Sequence, residues 1–465
     1  MNVQLQGHDF RYQAEQMIFV FFRDPENVFL ESIYDEKTQS VTTHVSHNGK
    51  KNSFTLSLSA PFCSDDVLLS AYFALSPLSA LKAPWGILSS TRPTKQARSM
   101  VGEHGSVEQA KKVLHDRFLV REDKIDLLYS VLSVETPILT KQDKKSVSLF
   151  VGIPICPSRC LYCSFGCVPQ GKREHRIPPY LAALYQEIDA LSEALSQTDF
   201  FIETVYVGGG TPTVLLPDEL SCLFDRLSSH FDLSRVSEYT LEAGRPDTFT
   251  PEKLAACIQG GVNRLCINPQ TMQDKTLPVI GRSHTASDVE KAFAMAREAG
   301  FQNINSDIIL GLPGETEDDV ADTLNRLFAL SPEEITAHTL YIKRASDLKK
   351  HIEKTPLPTP EIVEKMLDVT QNALLSRGYA PYYMYKQKNT LGNFENVGYA
   401  LPGYESLYNI YIIEETQTIL SVGAGGVTKI VNAEGRNTRS FNPKDILMYQ
   451  DRITAIAEEK RNLFL

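Results

Sequence analysis

Val147-Ser-Leu-Phe-Val-Gly-Ile153-Pro-Ile-Cys156-Pro-Ser-Arg-Cys160-Leu-Tyr-Cys163 decides the fold. An apolar run suited to a buried strand passes directly into a loop that carries three cysteines spaced C-x3-C-x2-C. Thiolates bind iron–sulfur clusters, and most clusters take four; three clustered thiolates can leave one iron open to a small molecule. A zinc site is the other reading, although zinc usually shows two separated C-x2-C pairs. Cys167 is a candidate fourth ligand, at an offset unlike that of a ferredoxin. The remaining cysteines, Cys63, Cys222, Cys257 and Cys266, are scattered in apolar surroundings and read as inert buried thiols.

Outward from this stretch, strands alternate with helices from 147 to about 345. Strands are predicted at Val147–Ile153, Thr204–Val207, Tyr239–Glu242, Arg264–Asn268, Ile304–Leu310 and Ile335–Tyr341. Helices should open near Pro178, at Pro217, at Thr250-Pro251, at the capping box Ser287-Asp288-Val289-Glu290, and at Thr316. This alternation implies a parallel sheet, and periodicity alone leaves an open sheet and a barrel as alternatives.

On either side the pattern changes. Residues 1–140 read as an α+β domain, with a strand at Ser53–Leu58, a helix from Ser106 to about Phe118, and the single tryptophan in Pro84-Trp85-Gly86-Ile87-Leu88 as a core anchor. Residues 346–465 open on the Pro-rich Pro356–Pro360. A helix capped by Thr359 follows and ends at Gly378, and then come a Tyr-rich stretch, Tyr379–Lys388, and Gly-rich turns at Gly423–Gly426. The chain of 465 residues is 42% hydrophobic and 22% charged, which excludes disorder as its main theme. A net charge of −10 argues against a nucleic-acid-tracking surface. The N-terminus lacks a signal-peptide pattern, and no run is long enough to span a bilayer, so a cytoplasmic protein is expected.

Two further sets carry chemistry. Gly208-Gly209-Gly210-Thr211-Pro212-Thr213 follows the second strand, where glycines let backbone groups approach a ligand closely. Glu242, Gln270, Arg282 and Asp307 are polar residues placed at the ends of later strands, the active edge of barrels of this kind. Carboxylates such as Glu242 and Asp307 accept from cations or hydroxyls, Gln270 can pair with polar groups, and Arg282 can hold a carboxylate through a bidentate pair.

The cysteine triad, the glycine loop and the strand-end set together resemble the radical S-adenosylmethionine (SAM) superfamily. Tyr206–Thr213, Asn268–Met272, Gly281–His284 and Ser306–Gly314 resemble its oxygen-independent coproporphyrinogen III oxidase-like group. Pro84–Leu88 with Arg92–Thr94, Glu395–Tyr399 and Val422–Thr428 resemble the HemZ-type branch.

The resemblance implies a (β/α)6 partial TIM barrel at 147–345, a substrate-covering, mainly α extension at 346–465, and a [4Fe–4S] cluster held by Cys156, Cys160 and Cys163. It further implies SAM held by Gly209, Gly210, Thr211, Glu242, Gln270, Arg282 and Asp307, with Tyr162 beside it. The implied reaction is decarboxylation of coproporphyrinogen III propionates to vinyl groups in haem biosynthesis, started by a 5′-deoxyadenosyl radical and supplied with electrons by reduced flavodoxin or a ferredoxin-type donor. Arg344 and Lys386 are candidate propionate partners. Within the same superfamily a haem-binding chaperone or a haem-opening methyltransferase are the alternatives. The chaperone's His-Asn-x-x-Tyr-Trp motif would fall near Glu395–Ala400, which has neither the His nor the Trp. The chain also departs from the better studied oxidases: Phe150 and Gly152 stand where those have Tyr and His.

Overall fold

The computed structural model describes all residues except 23–24, 164–167, 170, 172, 343–345, 351–354, 389, 433–436 and 465. The chain forms two compact units. The first holds Met1–Leu132, Thr359–Glu364 and Met384–Asn396, and the second holds Ser133–Pro358, Lys365–Tyr383 and Val397–Leu465.

In the first unit, β1 (Asn2–Gln6) and α1 (Arg11–Phe21) precede a meander of β2 (Val28–Asp35), β3 (Ser40–His47) and β4 (Lys50–Ser57). β1 runs parallel to β2, and the other neighbours are antiparallel. Alternation sends Val28, Leu30, Val41 and Val45 into the core, and α2 (Ser64–Leu75) packs on β3 and β4. α3 (Pro93–His104), α4 (Val107–Asp116) and α5 (Glu122–Lys141) follow, and the unit boundary falls within α5. Ser106 caps α4 as its sequence predicts, its hydroxyl accepting from Gln109 N at 3.2 Å. Trp85 is buried and donates from Nε1 to Glu395 Oε2 at 2.8 Å, while Lys124 Nζ donates to Glu395 Oε1 at 2.7 Å.

The second unit is built on β5 (Ser146–Gly152). The two-residue strands β6 (Ile155–Cys156) and β7 (Val168–Pro169) pair with each other and tie the ends of the cysteine loop. Then come α6 (Ile177–Leu195), β8 (Phe201–Gly208), α7 (Pro217–His230), β9 (Glu238–Glu242), α8 (Pro251–Gln259), β10 (Arg264–Cys266), α9 (Ala286–Ala299), β11 (Ile304–Leu310), α10 (Glu317–Leu330) and β12 (Glu334–Thr339). The strands β5-β8-β9-β10-β11-β12 are parallel and neighbour one another in chain order, which is the (β/α)6 arrangement.

The chain then forms α11 (Asp347–Lys350), α12 (Pro360–Leu375), β13 (Ala380–Lys386), β14 (Glu395–Ala400), α13 (Leu407–Glu414), β15 (Thr418–Val422), β16 (Val427–Val431), β17 (Asn437–Phe441), α14 (Ile446–Asp451) and α15 (Ile453–Arg461). The extension is therefore less helical than its sequence suggests. β14 adds antiparallel to β12, and β15 adds parallel to β5. The result is one open sheet of eleven strands with β13 and β17 at its edges, not a closed barrel.

Several local expectations change. Thr285 caps α9, two residues before the predicted box, because its hydroxyl takes Asp288 N while Asp288 reaches back to Thr285 N. Most of the Tyr-rich stretch forms strand β13; Tyr379, just before it, and Tyr382 and Tyr383 within it are buried, with hydroxyls on Pro332 O, Glu334 and Thr336. Cys257 and Cys266 are buried, but Cys222 is exposed on α7, between the inward-facing Leu220 and Leu223, and Cys63 is half-exposed at the start of α2. No described helix is long and apolar enough to cross a membrane.

Candidate cluster and cofactor site

The cysteine loop leaves β5 at the C-terminal end of the sheet and is pinned from several sides. Leu161 N donates to Ile280 O at 2.9 Å, Ser158 Oγ to Gly281 O at 3.2 Å, and Leu348 N to Leu161 O at 2.9 Å. Cys156, Cys160 and Cys163 are all half-exposed. Among the described residues, no three Cys, His, Asp or Glu side chains converge on one metal-ion position. Three thiols within eight residues of one loop suit a polynuclear cluster with each sulfur on its own iron.

The glycine loop after β8 lies directly against this segment. Thr211 N donates to Ile155 O at 2.9 Å, and Thr211 Oγ1 to Cys156 Sγ at 3.4 Å. A Cβ on Gly210 would fall 2.5 Å from Ile153 O, so only glycine allows this approach. Gly209, at φ +93°, turns its N–H to Glu242 Oε2 at 2.9 Å. The other Glu242 oxygen accepts from Tyr206 OH at 2.6 Å. Burial pushes the Glu242 carboxyl up to about 7 despite both hydrogen bonds.

The remaining polar residues are arranged differently from their predicted strand-end positions. Asp307 sits mid-strand in β11, with Oδ1 accepting from Asn305 Nδ2 at 2.9 Å and Oδ2 lying 3.7 Å from His338 Nε2. Burial opposes its charge, but His338, Asn305 and Thr336 hold the carboxyl below its ordinary value. β10 is short, and Gln270 lies beyond it yet continues its ladder: Gln270 N donates to Asp307 O at 3.0 Å and Ile309 N to Gln270 O at 2.9 Å. Gln270 holds φ +68°, a strained value for a residue with a side chain, and its buried Oε1 has no partner among the described residues.

Arg282 lies in the loop before α9 and is buried. Nη1 donates to Asn268 O at 2.5 Å and Nη2 to Gly244 O at 3.2 Å, so the fork predicted for a carboxylate clamps two backbone segments, and Nε has no partner among the described residues. Burial disfavours its charge, but Tyr162 and Cys160 beside it outweigh that and raise its pKa. Burial likewise pushes the Tyr162 phenol up, partly offset by Arg282. Tyr162, Arg282 and Cys160 are thus brought together.

His284 and Arg245 escaped the sequence reading. His284 stood in the quoted Gly281–His284 motif without a role. It is buried, and both its ring nitrogens lack partners among the described residues; burial, then Arg282 and Arg245, lower its pKa to about 4, so it is neutral at neutral pH. Arg245 follows Glu242 by three residues and reaches the cysteine loop, a place that no spacing rule flagged. The candidate substrate residues fare differently. Lys386 Nζ donates to Leu88 O at 2.7 Å and lies 4.9 Å from the Trp85 ring centre, within the first unit, so its charge has intramolecular partners. Arg344 and Cys167 lie outside the described residues.

Residues 150–327 match the radical SAM superfamily. The chain is 38% identical over 380 residues to the oxygen-independent coproporphyrinogen-III oxidase-like protein HemZ of Bacillus subtilis, covering 81% of this chain and 76% of that protein. This chain belongs to the radical SAM superfamily, in its oxygen-independent coproporphyrinogen-III oxidase-like group. It is also 31% identical to the haem chaperone HemW of Bacillus subtilis, covering 61% of this chain and 73% of that protein. The structure of coproporphyrinogen III oxidase HemN from Escherichia coli aligns with a TM-score of 0.53 at 22% identity, covering 70% of this chain and 73% of that one, which fixes the fold. The superfamily's cofactors are a [4Fe–4S] cluster and SAM. The buried polar groups without partners among the described residues, Gln270 Oε1, Arg282 Nε and the His284 nitrogens, together with the three half-exposed thiols of one loop, fit such a pair.

Proposed function

We propose that this chain is a radical SAM enzyme that acts on the propionates of a coproporphyrinogen-type tetrapyrrole. The observation that carries the reading is the juxtaposition of the half-exposed cysteine loop and the glycine loop with Arg282 and Glu242, with Gln270 and Asp307 paired on the neighbouring strands. Cys156, Cys160 and Cys163 would hold the cluster, and Gly209, Gly210, Thr211, Glu242, Gln270, Arg282 and Asp307 would surround SAM, with Tyr162 beside it. When bound, the two cofactors supply a 5′-deoxyadenosyl radical. The residues' own part is to bind and orient. Glu242, once ionised, accepts from an ammonium. Arg282 locks the segments at Gly244 and Asn268 so that Gln270 and Tyr162 keep their places. Loss of one hydrogen atom from the propionate β-carbon, of carbon dioxide, and of one electron to an acceptor leaves a vinyl group.

The similarity to HemZ supports the tetrapyrrole as substrate class, and a reduced flavodoxin or ferredoxin-type protein fits the need for a low-potential donor. The similarity to HemW favours a haem-binding chaperone as second reading. Against it stands segment Glu395–Ala400: it is the buried strand β14 and offers no imidazole or indole to a haem. Anaerobic incubation of cluster-loaded protein with SAM, dithionite and coproporphyrinogen III, followed by mass analysis, separates the two. Loss of carbon dioxide from the tetrapyrrole with matching 5′-deoxyadenosine supports the oxidase. Bound but unchanged tetrapyrrole supports the chaperone.

A further inference from the structure

β9 delivers two charged residues to this site. Glu242 turns toward the glycine loop, and Arg245, three residues on, turns toward the cysteine loop. The Arg245 side chain is 3% exposed. Its Nη1 and Nη2 both donate to Ser158 Oγ at 3.1 Å, and Ser158 in turn donates to Gly281 O at 3.2 Å. Nη1 also lies 3.8 Å from Cys160 Sγ, within reach of an N–H···S contact. On its other side Asp247 holds the guanidinium in a two-point pair, Nε–Oδ1 and Nη2–Oδ2, both 3.1 Å. A buried positive charge is thus fixed beside one thiolate position by a geometry that only a fork-shaped cation supplies.

The potential of an iron–sulfur cluster follows its net charge, the hydrogen bonds to its sulfurs and its exposure to solvent. Reduction adds negative charge, so a fixed cation and an N–H donor at a ligand sulfur favour the reduced form. Asp247, about a quarter exposed, opposes this.

We propose that Arg245 is a positioning residue for the cluster: it anchors the 156–163 loop through Ser158 and, by its charge beside Cys160, makes the cluster easier to reduce. The proposal rests on the cluster reading above. Its consequence is that electrons for SAM cleavage are accepted more readily than the three cysteines alone would allow.

The test is a redox titration, followed by electron paramagnetic resonance, of reconstituted full-length wild type, Arg245→Met and Asp247→Asn, each with its iron content measured. The expected result is a more negative potential in Arg245→Met and a less negative one in Asp247→Asn, because the first removes the cation and the second removes the anion that opposes it. A purely structural role would not move the potential in opposite directions. Arg245→Lys should restore most of the wild-type potential while retaining less iron, since an ammonium keeps the charge but cannot bridge Ser158 and Asp247 as a fork. Loaded Arg245→Met with the wild-type potential overturns the proposal. If Arg245→Met does not load, Asp247→Asn decides, and an unchanged or more negative potential there overturns it. A wild type that binds no cluster would instead overturn the cluster reading itself.

Discussion

Glu242 joins the two halves of the site through a carboxylate whose ionisation falls in the neutral range. With its pKa pushed up to about 7 by burial, the protein alone is part-protonated at neutral pH. Below that value the group is neutral and cannot pair with an ammonium; above it the charge is present. SAM affinity, measured calorimetrically, should therefore rise as pH climbs through about 7, and Glu242→Gln should bind more weakly with that step removed. Lys386 gives a second pH test. Burial beside Trp85 lowers its pKa from 10.5 to about 7, with Glu395 opposing the shift. Between those values the unfolded chain binds more protons than the folded one, so this residue's contribution makes stability rise with pH. Denaturant titrations across that window should show a shallower slope in Lys386→Met than in wild type. At this scale the cysteine loop could be read from sequence because its three thiols lie within eight residues of one segment. Arg245 and the φ of Gln270 were not, because their meaning comes from segments distant in sequence: Ser158 for the first, the β11 ladder for the second.

The elements are tied to the site by buried polar networks. Glu187 on α6 is fully buried and accepts from Gly423 N at 2.8 Å, Asn442 Nδ2 at 2.7 Å and Tyr449 OH at 2.6 Å, with Lys460 Nζ at 3.4 Å. Tyr180, one helical stretch earlier, donates to Gly152 O at 2.6 Å and accepts from Ala424 N at 3.0 Å. The C-terminal helices and the Gly423 turn are thereby joined to the end of β5, just before the cysteine loop. Glu187→Ala would remove the acceptor of Gly423 N and Tyr449 OH and the counter-charge of Lys460, which keeps Ser421 O and Thr428 Oγ1 as acceptors, and should destabilise by about 3–5 kcal/mol, the scale of breaking a buried pair; chemical denaturation checks it. The same packing accounts for Gly152. A Cβ there would lie 3.3 Å from both Val422 O and Ala424 O and 3.4 Å from the Phe150 ring, so a side chain at this position needs its neighbours to give by a few tenths of an ångström. The six strands and the helix starts at Pro217, Thr250 and Thr316 could be read locally, since proline, capping hydroxyls and apolar runs act over a few residues. The role of Val422–Thr428 could not, because it depends on Glu187 and Gly152, both more than two hundred residues away.

Across the molecule, chain order and sheet order coincide over six strands, and strands from the C-terminal extension widen the sheet beyond both ends of that set. Parallel pairing from sequence alternation was a sound inference, whereas the open edge was not legible: the strands that extend the sheet, β14 and β15, follow a linker and carry no βαβ rhythm. The arrangement gathers the thiols, the glycine loop and the buried polar groups on one side of the parallel strands, and there SAM would bind the open iron of a cluster whose other three irons Cys156, Cys160 and Cys163 hold. The most direct measurement is the electron paramagnetic resonance spectrum of the reduced, reconstituted protein with and without SAM. The account predicts a [4Fe–4S] signal whose shape changes when SAM is added, and loss of the signal in Cys160→Ala. A full cluster signal in Cys160→Ala, or a wild-type spectrum indifferent to saturating SAM, would contradict it.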